Sequence, residues 1–147
     1  MTAWANFLRA HSAVTRELNA DLAQTHGLTI NDYEVLLHLA QAEERGLRRV
    51  DLAERLVLTA SGITRLLEGL ERAGYVTKGS CSTDARVTYA VLTDGGLEKL
   101  REASETHFAG VREQFEDHFT EGELETLASL LARLTDGGEG DCSVPED

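Results

Sequence analysis

The sequence is poor in the features that mark several classes of protein. Its 147 residues include one proline and two cysteines, Cys81 and Cys142. The cysteines lie 61 positions apart and form no CxxC pair, which argues against a disulfide framework and a zinc knuckle. The chain also contains no apolar run of about 18 residues and no leader in which basic residues precede an apolar segment. These absences predict one cytoplasmic domain without a membrane partner, because a domain takes roughly 100–150 residues.

Positive charge is also scarce, because 26 acidic residues outnumber 14 basic ones and leave a net charge of −12. Taken whole, this charge argues against a nucleic-acid partner, since phosphate contacts need Lys and Arg. The distribution changes that conclusion. Residues 45–92 carry a net charge of +3, whereas residues 1–44 carry −4 and residues 93–147 carry −11. Repulsion from the acidic ends is screened beyond about 8–10 Å, so the middle segment is either a basic binding face or an ordinary mixed surface.

Hydrophobic periodicity predicts helices in the first part of the chain. An apolar stripe at helical spacing runs through residues 1–26 and ends at Gly27. Thr29 and Asp32 then resemble a capping box, which opens a second helix at about residues 33–42. This second helix is apolar nearly all round, which is typical of a helix buried in the middle of a domain.

The last third of the chain predicts two more helices and a polar tail. Thr93 precedes a long amphipathic helix, and a capping box of Thr120 and Glu123 begins the final one. The apolar stripes of both helices exceed what one small lobe can cover. Residues 136–147 are rich in Gly, Asp and Glu, so we expect this acidic tail to be disordered.

The middle segment predicts two short helices followed by a hairpin. A helix over residues 49–56 leads through a tight connection to Thr59, a plausible N-cap for a second helix that ends at Gly74. The period then changes from 3.6 to 2 over residues 75–78 and 87–92, which indicates two strands. Two short helices and a hairpin in this order are a helix-turn-helix with a wing.

The second helix of a helix-turn-helix enters the major groove by its N-terminal end. There Arg65 can bridge guanine O6 and N7, while Arg86 at the wing suits a narrow minor groove, with Asp84 beside it. A solvated polar face is the alternative interpretation. The predicted DNA contacts are Arg48, Arg49, Thr59, Ser61, Gly62, Thr64, Arg65, Lys78, Asp84 and Arg86. Of these, Arg48, Arg49 and Lys78 are predicted to contact phosphates, which position the protein without specifying sequence.

Several short motifs follow one another along the chain. They are Asp51-Leu52-Ala53-Glu54-Arg55-Leu56, Ile63-Thr64-Arg65-Leu66-Leu67, Leu70-Glu71-Arg72-Ala73-Gly74-Tyr75-Val76 and Asp84-Ala85-Arg86. Over roughly residues 3–135 this pattern resembles the MarR family of bacterial winged helix-turn-helix regulators. The resemblance implies a single domain over residues 1–135, mainly α with a small β-hairpin wing. Its winged lobe would span about residues 30–92, with dimerisation helices at about 1–26 and 93–135.

The resemblance also implies a partner and an effector. It implies a homodimer that binds double-stranded DNA at a pseudo-palindromic operator, and a repressor that a small aromatic anion releases. Six residues would supply cations, hydrogen-bond donors and aromatic rings for that anion. They are Trp4, Arg9, His11, Arg16, Tyr33 and His38. For the two histidines, a satisfied core position is the simpler explanation.

Two other functions stay open at this stage. His107 and His118 lie among acidic residues on one helix, as a metal-responsive regulator of the same fold would require, although a solvated acidic face explains them more simply. The acidic C-terminal helices would also suit a dimeric protein-interaction module. An enzyme is not expected, because the sequence has no GxSxG, HExxH or phosphate-binding glycine loop, and neither a metal nor a cofactor is predicted.

Overall fold

A computed structural model describes residues 1–80, 86–135 and 144–145, and most of these residues are helical. The elements follow in the order α1 (Thr2–His26), α2 (Ile30–Gln41), a 3₁₀ turn (Glu43–Arg45), β1 (Gly46–Arg48), α3 (Arg49–Arg55), α4 (Ala60–Arg72), β2 (Val76–Ser80), β3 (Thr88–Leu92), α5 (Asp94–Glu116) and α6 (Glu121–Ala132). The predicted fold, mainly α with a small β-hairpin, is confirmed.

The sheet has three antiparallel strands where two were predicted. The strand order is β1-β3-β2, so β3 is central, and its Ala90 lies opposite Leu47 of β1 and Lys78 of β2. The three residues of β1 are too few to show an alternating pattern, which is why the sequence did not reveal this strand. Its pairing satisfies the backbone edge of β3 and ties the start of α3 to the hairpin.

The predicted capping residues lie at the helix ends, although α2 begins earlier in the sequence than predicted. Thr29 Oγ1 accepts a hydrogen bond from the Asp32 amide at 3.1 Å, and Asp32 Oδ2 accepts one from the Thr29 amide at 2.8 Å. The capping box is confirmed, but α2 begins at Ile30 rather than at Tyr33, because an N-cap makes the next residue the first of the helix. Gly27 ends α1 with φ of +67°, a conformation that favours glycine.

The core draws on α1 through α5 and on the sheet. Helix α2 lies at its centre, as its sequence predicted, with five buried side chains, Tyr33, Val35, Leu36, Leu37 and Leu39. Full burial of each such side chain contributes about 1.5–3 kcal/mol. By contrast, α1 buries only Leu18 and Leu22, and α6 buries no residue. The molecule therefore divides into a well-filled lobe and partly uncovered terminal helices.

The start of α5 is bound to the turn that follows α4. The Thr93 amide donates to the Tyr75 carbonyl at 3.0 Å, and Thr93 Oγ1 donates to the Gly74 carbonyl at 2.7 Å. A Cβ at Gly96 would overlap the Tyr75 carbonyl oxygen. Only glycine at position 96 therefore lets α5 approach the turn so closely.

One residue of the acidic tail contacts the rest of the chain. Val144 is half-buried and packs against the core. Residues 136–143 and 146–147 lie outside the described residues. Among the described helices, none combines the length and apolar character that a membrane crossing requires.

Candidate nucleic-acid interface

Helix α4 is held on the core by one face and exposes the other. Ile63, Leu67 and Leu70 are buried. Its N-terminus is fixed by Thr59, whose Oγ1 accepts a hydrogen bond from the Gly62 amide at 3.1 Å. This confirms Thr59 as the N-cap. The exposed residues on the opposite face are Ser61, Arg65, Glu68 and Arg72.

Some predicted DNA contacts on α4 already have partners within the helix. Thr64 Oγ1 donates to the Ala60 carbonyl at 2.9 Å, and the hydroxyls of Thr59 and Ser61 are 3.2 Å apart. A Cβ at Gly62 would lie only 3.1 Å from Thr59 Oγ1, so this glycine makes room for the cap. Among the predicted contacts in the first two turns, Ser61 and Arg65 are exposed, whereas Gly62 and Thr64 are half-buried.

The turn between α3 and α4 contains an unusual residue. Val57 has φ of +55° and is 91% exposed. Left-handed backbone is rare for a β-branched residue, and a glycine is common in the turn of a helix-turn-helix. Hydrogen bonds from the Val57 amide to the Glu54 carbonyl and from the Leu58 amide to the Ala53 carbonyl hold the turn in this conformation.

Two predicted phosphate contacts lie at the start of α3. Arg48 is exposed and donates two hydrogen bonds to Asp51, from Nε to Oδ2 at 2.8 Å and from Nη2 to Oδ1 at 2.7 Å. Those hydrogen bonds lower the pKa of Asp51 below its ordinary value. Arg49 is half-buried and lines a cleft between α3 and α4 with Val50, Ala53 and Ile63.

The remaining predicted contacts lie on the hairpin. Lys78 of β2 is exposed, and its Nζ is 3.6 Å from Glu71 Oε2 of α4. Arg86 is exposed just before β3. Asp84, predicted to lie beside Arg86, falls outside the described residues. A further cation of the basic segment, Arg45, forms an ion pair with Asp94 at 3.1 Å.

The six predicted effector residues occupy different environments in one chain. Tyr33 is buried, and its hydroxyl bonds to Ser104 Oγ at 3.1 Å. His38 is half-buried, and burial together with the nearby charge of Arg55 lowers its pKa. The other four residues are exposed along α1, namely Trp4, Arg9, His11 and Arg16. In one chain, four of the six residues are therefore open to solvent, whereas Tyr33 is buried and His38 is half-buried.

One buried polar group, His107, was predicted from the sequence only as a candidate metal ligand. Its ring lies 4.5 Å from that of Tyr33, between centroids. Its Nδ1 is buried and has no hydrogen-bond partner among the described residues. Burial lowers the pKa of His107. The available signal was its position three residues after Ser104 on the inner face of α5.

The described part of the chain contains no group of three or more His, Cys, Asp or Glu residues arranged to hold a metal ion. His107 and His118 also differ in burial, because His107 faces Tyr33 whereas His118 is exposed. The geometry of these residues therefore gives the metal-responsive alternative no support.

Comparisons with known proteins agree with this geometry. The sequence model of the MarR family matches residues 26–87. The HTH-type transcriptional repressor YetL of Bacillus subtilis is 30% identical over 112 residues, which cover 74% of this chain and 67% of YetL. The HTH-type transcriptional regulator MhqR of the same organism is 25% identical over 126 residues, covering 86% of this chain and 84% of MhqR.

Solved structures extend the likeness over nearly the whole chain. AbsC, a MarR family transcriptional regulator from Streptomyces coelicolor, is 34% identical with a TM-score of 0.81, covering 92% of this chain and 90% of AbsC. Sco3205 from the same organism, solved in complex with DNA, is 27% identical with a TM-score of 0.83, covering 95% of this chain and 88% of Sco3205. The chain therefore belongs to the MarR family, whose members are transcriptional regulators and not enzymes.

Proposed function

We propose that this DNA-binding regulator works as a homodimer that recognises a pseudo-palindromic operator through α4. The observation that carries the proposal is the outward-facing start of α4, where Ser61 and Arg65 are exposed while the apolar side of the helix is buried. A helix in this position enters the major groove by its N-terminal end. Sco3205, which is similar over most of its length, was solved with DNA.

The charge distribution supports the same orientation on DNA. The net charge of +3 lies in residues 45–92, which form the helix-turn-helix and the hairpin. The net charge of −11 in residues 93–147 lies in α5, α6 and the tail, away along the chain from α4, the proposed recognition helix. A duplex is therefore attracted to the lobe and repelled by the terminal helices.

The dimer is supported by the apolar surface that one chain leaves open. Trp4 and Leu8 of α1 are 59% and 43% exposed, and Leu134 after α6 is 74% exposed. Large exposed apolar patches mark interaction sites. A second copy of the chain would cover them and place two α4 helices about one turn of DNA apart, roughly 34–36 Å.

The role as a repressor released by an aromatic acid is the finer part of the proposal. YetL, a relative of this chain, is named as a transcriptional repressor. Arg9 and Arg16 are exposed cations on α1, and the buried Nδ1 of His107 beside Tyr33 is a polar group in need of a partner. An anion bound between the dimer helices and the lobe would use groups of these kinds.

A mobility-shift assay with the DNA upstream of the protein's own gene tests the proposal. We expect binding that weakens as salt rises, because phosphate contacts release counterions. A panel of benzoic and phenolic acids should release the complex if the effector is of this class. Absence of binding, or binding without salt dependence, would instead favour the protein-interaction module.

Arg65→Ala tests the assignment of α4 directly. We expect a loss of about 1–3 kcal/mol in operator binding and relaxed specificity at one base pair per half-site. Arg72→Ala is the matched control, because Arg72 is exposed on the same face but lies at the C-terminal end of α4. If Arg65→Ala and the parent discriminate all competitor sites equally, Arg65 does not read a base.

A further inference from the structure

Two of the three predicted phosphate contacts, Arg48 and Lys78, are held in different ways. Asp51 binds Arg48 through two parallel hydrogen bonds of 2.8 and 2.7 Å. Glu71, which is half-buried, holds the exposed Lys78 by a single ion pair of 3.6 Å. A bidentate pair fixes the orientation of a guanidinium, whereas a long surface pair contributes little and exchanges easily.

The backbone of Arg48 is fixed as well as its side chain. Arg48 is the last residue of β1, where it lies opposite Tyr89 of β3, and it is also the N-cap of α3. The first helix of a helix-turn-helix crosses the DNA backbone. The guanidinium therefore starts from a rigid point at the place where a phosphate is expected.

The contact with Asp51 leaves one edge of the guanidinium available. Arginine has five N–H donors, and Asp51 takes one from Nε and one from Nη2. The edge formed by Nη1 and Nη2 keeps two parallel donors, and the side chain is 49% exposed. Two parallel donors match two phosphate oxygens, so one guanidinium can bridge Asp51 and a DNA phosphate.

We propose that Asp51 is a positioning residue that makes Arg48 selective for the operator. It fixes the free edge of Arg48 in one direction and cancels its charge. An operator duplex then places a phosphate against that edge of Arg48. Other DNA gains little affinity from Arg48, because the Arg48–Asp51 pair has no net charge. The proposal rests on the proposed function, since it concerns DNA binding by the same lobe.

Asp51→Asn removes the charge while keeping the size of the side chain. We expect the affinity for an unrelated duplex to rise about three- to tenfold and its salt slope to steepen by about 0.9, as for one added phosphate contact. Operator affinity should stay level or fall, because Arg48 is no longer fixed. The operator is the duplex that the wild-type protein selects from a random library, and the unrelated duplex has the same length and composition.

Glu54→Gln is the matched control. Glu54 lies on the same helix, is exposed, and acts on Arg48 through space. Loss of its charge should strengthen binding to both duplexes by the same factor and leave their ratio unchanged. If Asp51→Asn changes the ratio no more than Glu54→Gln does, the positioning role is overturned.

Arg48→Lys tests whether the effect of Asp51→Asn comes from the orientation of the Arg48 guanidinium or from a loss of folding. Lysine keeps the charge but lacks the fork, so the ratio of operator to unrelated binding should fall as in Asp51→Asn. The double variant should fall no further than either single variant, and thermal unfolding reports whether each protein is folded. Additive losses would overturn the proposal. If the wild-type protein selects no duplex from the library, the proposed DNA-binding function itself is overturned. That result differs from an unchanged binding ratio in Asp51→Asn, which overturns only the positioning role.

Discussion

The winged lobe, from α2 to β3, and the terminal helices differ in how far one chain covers their apolar side chains. In the lobe, Leu36, Leu52 and Ile63 are at most 1% exposed. In the terminal helices, α6 has no buried residue and Trp4 is 59% exposed. Among the described residues, one chain therefore fills the core of the lobe but leaves apolar side chains of the terminal helices exposed. Packing within one chain accounts for the first region and not for the second.

The largest change in the free energy of unfolding is expected for a substitution in the centre of the lobe. Leu36→Ala should lower the free energy of unfolding by about 2–5 kcal/mol, because it removes a fully buried side chain and leaves a cavity. Chemical denaturation at a fixed protein concentration measures this. The control is Val50→Ala, at a position that is 56% exposed, which should change stability by less than about 0.5 kcal/mol. Similar losses for the two variants would contradict the contrast in packing.

A charge on α6 should act on assembly rather than on the fold of the lobe. Leu131→Glu places a carboxylate on a surface that is 37% exposed in one chain and that the dimer would cover. We expect dimerisation to weaken at least tenfold, about 1.4 kcal/mol, as measured by sedimentation over a range of concentrations. Glu125→Gln, on the exposed side of the same helix, should leave the dimer intact. A wild-type protein that stays monomeric at every concentration would remove the basis of this prediction.

The turn of the lobe should tolerate, and benefit from, a glycine. Val57→Gly should raise the free energy of unfolding by about 0.5–1 kcal/mol, because glycine relieves the left-handed strain at a cost in unfolded-state entropy. Val50→Gly is the matched control, since Val50 is also exposed but lies in helix α3. There glycine should lower stability by about 0.3–0.5 kcal/mol, the difference in helix propensity between valine and glycine. If both variants are destabilised alike, the backbone of Val57 is not strained.

The smallest change in stability is expected from the protonation of His107, which lies where the lobe meets the terminal helices. Burial holds the pKa of His107 below its ordinary value, so the unfolded chain takes up the proton first as the pH falls. The contribution of neutral His107 is therefore present above about pH 6.5 and declines as the pH falls through that value. His107→Gln should reduce the change in the free energy of unfolding between about pH 7.5 and pH 5.5, which extends about one unit on either side of the ordinary histidine pKa.

His118→Gln is the control for this last prediction, because His118 is exposed on the loop after α5. Its pH profile should match that of the wild-type protein. A profile that keeps its full slope in His107→Gln would assign the effect to another group, of which half-buried His38 is the first candidate.

The parts of the fold that local signals specify were predictable. Thr59 and Gly74 mark the ends of α4, and the spacing of its apolar residues marks the buried face, so the recognition helix follows from about fifteen neighbouring positions. The strand β1 did not follow, because three residues carry no period. The pairing of Tyr33 with His107 did not follow either, since the two residues are 74 positions apart and meet only through the packing of α2 on α5.

The site was predictable in type but not in its internal contacts. Residue chemistry indicated Arg48 and Lys78 as phosphate contacts. It did not indicate that Asp51 binds Arg48 through both oxygens while Glu71 holds Lys78 by one long contact. That distinction depends on side-chain geometry at the junction of β1 and α3, which periodicity does not encode. The same limit applies to Thr64, whose hydroxyl bonds within α4.

The close contact of Gly96 and Thr93 with the turn after α4 couples the orientation of α5 to that of α4. The helix spans 23 residues, or about 34 Å at 1.5 Å per residue, with the end of the recognition helix attached at one end and α6 following at the other. In the proposed dimer, a small tilt at the far end of α5 would swing the attached lobe and alter the distance between the two recognition helices. The separation of the half-sites that the dimer accepts would then depend on a helix that lies outside the helix-turn-helix.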